Sequence, residues 1–151
     1  MSRSIVVPVI RELARCYQAF ERLSAAHVRR TGLTPAQFDI VATLGNTAGL
    51  PFKELGNRTL ITKGTLTGVV DRLEARGLVE RFACPDDGRS TLVRLTPAGE
   101  RVFHEVFEPH LAFLAPAFES LPECGRKELE KRLKQLREAL EKRGDELDAN
   151  E

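Results

Sequence analysis

The residues best placed to do chemistry lie in one run, ITKGTLTGVVDRLEARG, at positions 61–77. Leu66, Val69 or Val70, and Leu73 recur at helical spacing and make one apolar face. The outer face at the start of this helix carries Lys63, Gly64, Thr65, Thr67 and Gly68, with Arg72 further along. A glycine inside a helix costs about 1 kcal/mol against alanine, so two on one face argue for close approach of another surface. Threonine offers a hydroxyl to phosphate and a methyl to thymine, and Lys63 can reach phosphate or guanine. The helix N-terminus itself favours an anion. This is the chemistry of duplex recognition, not of bond-breaking.

A second set follows. LVERFAC (78–84) and STLVRLT (90–96) are rich in β-branched residues and flank PDDGR (85–89), a turn sequence, so they predict a β-hairpin. Arg89 at its tip, flanked by Arg81 and Arg94, would project where a phosphate or a narrow minor groove lies. Asp86 and Asp87 would repel DNA if unpaired, and Asp87 is expected to orient Arg89 across the turn.

Other reactive side chains form no comparable set. Cys16, Cys84 and Cys124 are odd in number and scattered, which suits the reducing cytoplasm rather than a disulfide framework. Cys16 lies about a turn from Arg11 and Arg15, and a redox-sensing regulator using Cys16 is one alternative reading. His104, Glu105, Glu108 and His110 share a helix, but His110 points to a different side from His104 and Glu108, and zinc needs convergent ligands. No metal or other cofactor is expected. An enzyme would need a nucleophile with its base, a metal cage or a phosphate loop, and none is present. Tyr17, Phe20, Phe38 and Phe107, with Arg11 or His27 for an anion, are the expected lining of a pocket for a small aromatic or anionic effector.

The elements that must position these residues are mostly helical. Apolar residues at Leu13, Tyr17, Phe20, Leu23 and Val28 predict a helix over 9–30, stopped at Thr31-Gly32. Thr34 and Pro35 cap a second helix reaching about Gly45, and Asn46 to Leu50 read as a loop. Pro51 starts a short helix, Thr62 begins the glycine- and threonine-rich one, and Gly77 stops it. After the hairpin, Thr96-Pro97 caps a long helix that Pro109 and Pro116 should bend or interrupt. A last helix carries Leu129, Leu133, Leu136 and Leu140, a coiled-coil-like seam. Two short helices, a tight turn and a two-stranded wing are a duplex-binding arrangement.

Size and charge agree with this reading. At 151 residues the chain suits a single domain, and 42% hydrophobic with 30% charged residues excludes a disordered chain. No apolar run spans a membrane and no signal peptide is read. Net charge is +1, but Asp145, Glu146, Asp148 and Glu151 close the chain without a base among them, and setting them aside raises it to +5.

The segments LTPAQFDIVATL (33–44), KELGNRTLITKGTLTGVVDRLEARGLVER (53–81) and DDGRSTLVRLTPAGE (86–100), with the leucine-spaced last helix, resemble the MarR family of bacterial transcription regulators over nearly the whole chain. The resemblance implies a mainly α (α+β) fold: a winged helix-turn-helix lobe at 33–96, dimerisation helices at 1–32 and 97–144, and an acidic tail at 145–151. It implies an obligate homodimer on double-stranded DNA in which Lys63, Thr65, Thr67 and Gly68 approach bases and phosphates; a dimer bound at a promoter obstructs polymerase, so a repressor is expected. Arg89 matches the wing arginine, and Asp71 is implied to pair with it. Many relatives have a more basic recognition helix than one with Asp71 beside Arg72. A winged-helix protein-interaction module is a further alternative, one that need not align Lys63, Arg81, Arg89 and Arg94.

Overall fold

The computed structural model describes residues 3–149, with the side chains of residues 3, 4 and 63 outside the described set. Helix α1 (Arg3–Val28) starts earlier than the expected residue 9 and includes Pro8. A proline this close to the helix start forfeits one backbone hydrogen bond and leaves the rest of a 26-residue ladder intact. A single 3-10 turn over Arg29–Thr31 and Gly32, at φ +79°, then reverse the chain.

Helix α2 (Pro35–Leu44) opens on a reciprocal cap. The Thr34 hydroxyl accepts the Gln37 N–H at 3.2 Å, and Gln37 Oε1 accepts the Thr34 N–H at 3.1 Å. Gly45 ends the helix, where any Cβ would collide with the Phe103 ring. The expected loop then yields a two-residue strand, β1 (Leu50–Pro51), before α3 (Phe52–Arg58) and α4 (Lys63–Ala75). Gly77, at φ +72°, follows α4 and leads into the hairpin of β2 (Val79–Ala83) and β3 (Thr91–Leu95).

The sheet is antiparallel in the order β1-β3-β2, with Leu50 opposite Val93 and Val79 opposite Leu95. Pro51 sits on the edge strand, where its missing N–H breaks no interior ladder. Behind this sheet Ile40, Val41, Leu44, Leu55, Leu66, Val70, Leu73, Val79 and Val93 form the buried core, which Phe103 and Val106 also join.

Helix α5 (Pro97–Glu119) begins at Thr96, whose hydroxyl accepts the Gly99 N–H at 3.1 Å and donates to the Gly77 carbonyl at 2.6 Å. It runs on through Pro109 and Pro116, which were expected to bend or interrupt it, and is not interrupted. Each proline removes one backbone bond, and on the near side of Pro109 the buried Phe103 and Val106 anchor the path. Helix α6 (Glu123–Asp148) likewise outruns its expected end. Asp145, Glu146 and Asp148 belong to its last turns rather than to a separate tail, with Arg143 paired to Glu146 at 3.2 Å; residues 150 and 151 lie outside the described set.

The chain divides into two compact units, Met1–Phe113 and Leu114–Glu151, a boundary inside α5. The first holds the core and sheet. In the second, α6 carries i,i+4 ion pairs Lys127–Glu123, Arg132–Glu128 and Arg137–Glu141 alongside exposed Leu129, Leu133 and Leu140. Among the described residues, no helix is long and apolar enough to cross a membrane.

Candidate nucleic-acid interface

The buried stripe of α4 is Leu66, Val69, Val70 and Leu73, which seats the helix on the core. That leaves Gly64, Thr65 and Thr67 exposed at its start, with Gly68 half-exposed. A Cβ added at Gly64 would meet nothing within 4 Å, and one at Gly68 only the tip of Arg72, at 3.9 Å. The fold's own packing therefore does not require these glycines, and their helix-propensity cost calls for a reason outside it. Lys63 opens the helix, but its side chain lies outside the described residues. Thr62 does not cap α4 through its side chain; its hydroxyl lies 3.0 Å from that of Thr65, while its carbonyl accepts the Thr65 and Leu66 N–H groups.

Two polar ties from α2 hold this helix at its ends, and the sequence reading contained neither. Asp39 Oδ2 accepts the Leu60 N–H at 2.8 Å, in the turn that leads into α4. At the other end Arg76 donates to Gln37 Oε1 at 3.1 Å and to the Gly32 carbonyl at 3.3 Å. The one signal of the first tie in the sequence is a carboxylate interrupting the apolar run Phe38, Ile40, Val41.

The wing arginines are engaged differently from expectation. Asp71 pairs with Arg81, at 2.6 Å, and not with Arg89; Arg81 also pairs with Glu74. Arg81 stands on β2 beside α4, whereas Arg89 sits at the far end of the hairpin, so the nearer guanidinium takes the carboxylate. The pairing raises the already high Arg81 pKa, first through the Asp71 hydrogen bond. Arg94 is paired with Glu80 directly across the hairpin at 2.6 Å, with its guanidinium 4.3 Å over the Phe82 ring. Asp87 shapes the tip through one backbone group and one side chain. Its carboxylate accepts the Arg89 N–H and the Ser90 hydroxyl, each at 3.0 Å, and does not bond the Arg89 side chain. Arg72 and Arg89 are exposed without an ion-pair partner among the described residues.

Of the six expected effector residues, the fold brings two together. His27 and Phe38 both meet His110, which is 4% exposed. His110 Nδ1 lies 3.1 Å from His27 Nδ1 and its Nε2 lies 3.2 Å from the Ser24 hydroxyl, so one ring must donate and the other accept. Burial, then the nearby His27, lower the His110 pKa. Phe107 stacks on Phe103. Arg11 and Phe20 are exposed on α1, and the exposed Tyr17 donates its hydroxyl to Glu21 at 2.8 Å. That bond, burial and the charges of Glu21 and Asp39 raise the Tyr17 pKa. A separate apolar notch lies between α3 and α4, lined by Phe52, Lys53, Gly56 and Leu66. Cys16, Cys84 and Cys124 are free thiols, Cys16 and Cys124 exposed.

Residues 31–90, which hold α2 through the wing turn, match the model of the MarR family. The chain is 31% identical to the HTH-type transcriptional regulator MhqR of Bacillus subtilis over 100 residues, 66% of this chain and 69% of that protein. The chain belongs to the MarR family. It is a family of transcriptional regulators and not of enzymes, and its fold is the winged helix-turn-helix seen here. Among solved structures, a mutant MarR of Escherichia coli complexed with operator DNA superposes with a TM-score of 0.75 at 26% identity, covering 87% of this chain and 94% of that one. Bordetella bronchiseptica BpsR, whose DNA binding is regulated by 6-hydroxynicotinic acid, gives 0.74 at 27% identity over 85% of this chain and 98% of its own.

Proposed function

We propose that this MarR-family chain is a sequence-specific double-stranded DNA-binding regulator, acting as a homodimer and most readily as a repressor. One observation carries the reading: the first half of α4 is bare, glycine-thinned and hydroxyl-bearing, while its back is locked into the core. Thr65 and Thr67 then meet base edges or phosphates together with Lys63, and Gly64 and Gly68 let the backbone close on the groove. Arg89 reaches a flanking phosphate or minor groove. Arg72 lies on the exposed side of the same helix and contacts the backbone. Arg81 and Arg94, engaged with carboxylates in this fold, serve as supports for the wing. The similar operator-DNA complex of MarR supports this use of the fold.

A second copy answers a further observation. Helix α1 exposes Ile5, Val6, Val7, Val9, Ile10 and Leu13, and α6 exposes Leu129, Leu133, Leu140 and Leu147. Faces this apolar are covered in a stable protein, and a second copy related by a twofold axis would cover each of them. Its two α4 helices would sit about one DNA turn, roughly 34 Å, apart, so the target is an imperfect palindrome. A dimer seated on a promoter obstructs polymerase. A small aromatic or anionic effector that releases it, bound near His27, Phe38 and Phe107, has support in the regulated DNA binding of BpsR.

Selection from a random duplex pool, followed by a salt titration on the winning sequence, tests the reading. The expected outcome is a palindromic consensus bound with a steep loss of affinity as salt rises. A pool returned without enrichment, or a tight protein partner in place of DNA, contradicts it.

A further inference from the structure

Asp39 is half-buried on α2, and no cation among the described residues lies within ion-pair distance of it. Burial raises its pKa, which the Leu60 hydrogen bond partly offsets. A half-desolvated charge without a counter-ion is a cost to folding, and an apolar residue of similar shape would serve the core better. What the carboxylate does is hold one backbone group: the Leu60 N–H, at 2.8 Å. Leu60 itself is 71% exposed, so side-chain burial does little to fix that turn. Two residues later the Thr62 carbonyl receives the Thr65 and Leu66 N–H groups in the first turn of α4. Gln37, one residue back from Phe38 on the same helix, receives Arg76 at the opposite end of α4. Helix α2 thus grips α4 by both ends, and the grip at the bare end is Asp39.

We infer that Asp39 is a positioning residue for base recognition: by holding the Leu60 N–H it fixes the angle at which the Gly64–Thr65 end of α4 meets the duplex. It tunes discrimination between sequences more than overall affinity for DNA. The inference rests on the DNA-binding reading above.

The test separates recognition from stability. Affinities for the selected duplex and for a scrambled duplex of equal length are measured at one salt concentration, beside thermal midpoints, for the wild type and three variants. Asp39→Leu removes the acceptor and the desolvated charge; it should melt at or above the wild-type temperature yet lose about tenfold of its preference for the selected duplex, the worth of one ordinary hydrogen bond. Asp39→Asn keeps an acceptor oxygen and should hold its preference within about twofold. Ile40→Val, a core truncation next door, should melt earlier with its preference unchanged. Asp39→Ala carries the same expected loss of preference as Asp39→Leu and replaces it where the larger side chain prevents folding. A folded Asp39 variant without an acceptor that keeps the full preference overturns the inference while leaving DNA binding standing. So does a loss of preference that merely follows the melting temperature, Ile40→Val included. A wild type that prefers neither duplex overturns the DNA-binding reading itself.

Discussion

The start of α4 and the strands of the wing both bear the polar and basic residues expected of a DNA-binding surface, yet they spend them in opposite ways. On α4, Gly64, Thr65 and Thr67 are exposed, and the helix is secured from behind by its apolar stripe and by Asp39 and Gln37 at its two ends. On the wing, Arg81 is shared between Asp71 and Glu74, and Arg94 is matched by Glu80 and covered by Phe82. Counted locally, the first cluster is one cation against two carboxylates and the second is neutral. Any attraction of the wing for phosphate would therefore rest on Arg89, beside Asp86 and Asp87, with the Asp87 carboxylate turned onto the Arg89 N–H and the Ser90 hydroxyl. Arginine content alone does not measure a DNA-binding surface; the pairing each guanidinium has already made decides how much of its charge is available.

The sharpest way to break this contrast is Gly64→Glu. The site is open, so the side chain fits, and an acidic residue in the first turn of a helix that loses a glycine should leave folding unharmed or improved by up to about 1 kcal/mol. Duplex binding should fall by at least about a hundredfold, because a carboxylate would face the phosphates across a close contact. Equal affinity of the variant in a binding titration would remove the start of α4 from the interface. Next in size, Arg89→Ala should weaken binding to selected and scrambled duplexes alike and lower the slope of log affinity against log salt by about 1, with the thermal midpoint hardly moved. A slope that does not change would place the wing tip away from DNA.

Arg81→Ala should show the opposite pattern. Leaving Asp71 and Glu74 side by side without their cation should cost on the order of 1 kcal/mol in denaturant unfolding, less at high salt because the cluster is partly exposed. The salt slope of DNA binding should stay near the wild-type value, and a slope reduced as far as in Arg89→Ala would return Arg81 to the contact set. The smallest effect belongs to a region apart from both. His110 has a lowered pKa in the folded chain and titrates near the ordinary imidazole value of about 6.5 when unfolded. Its neutral form therefore supports the fold fully above that value, and this support is lost as pH falls through it toward the lower folded-state pKa. Thermal midpoints taken from about pH 8 to about pH 5 should descend on the acid side, and His110→Gln should make the descent shallower. An identical descent in the variant would assign it to other groups.

What the sequence made legible follows from how local each determinant is. The caps at Thr34 and Thr96, the stops at Gly32 and Gly77, the hairpin and the buried stripe of α4 are set by residues within a turn or two of each other, and all were readable. Strand β1 was not, because two residues such as Leu50 and Pro51 become a strand only through Val93 and Leu92, some forty positions on. The partner of Asp71, which the family resemblance implied to be Arg89, is Arg81, because β2 brings that guanidinium beside α4. Asp39–Leu60 and His27–His110 likewise exist only once separate segments of the chain have packed. Proline carries a known local cost, and α5 nevertheless continues uninterrupted through Pro109 and Pro116. The exposure of Gly64, Thr65, Thr67 and Arg89 was thus legible from local pattern, and the groups that hold α4 and the wing in place were not.

The most direct test is to add the selected duplex to isotope-labelled protein and follow every backbone amide and arginine side-chain resonance. The account predicts that the largest changes fall on Gly64, Thr65, Thr67, Gly68 and Arg89, while the guanidinium signals of Arg81 and Arg94 stay near their free positions. Unmoved signals at residues 64–68, with the changes gathered on another face, would contradict it.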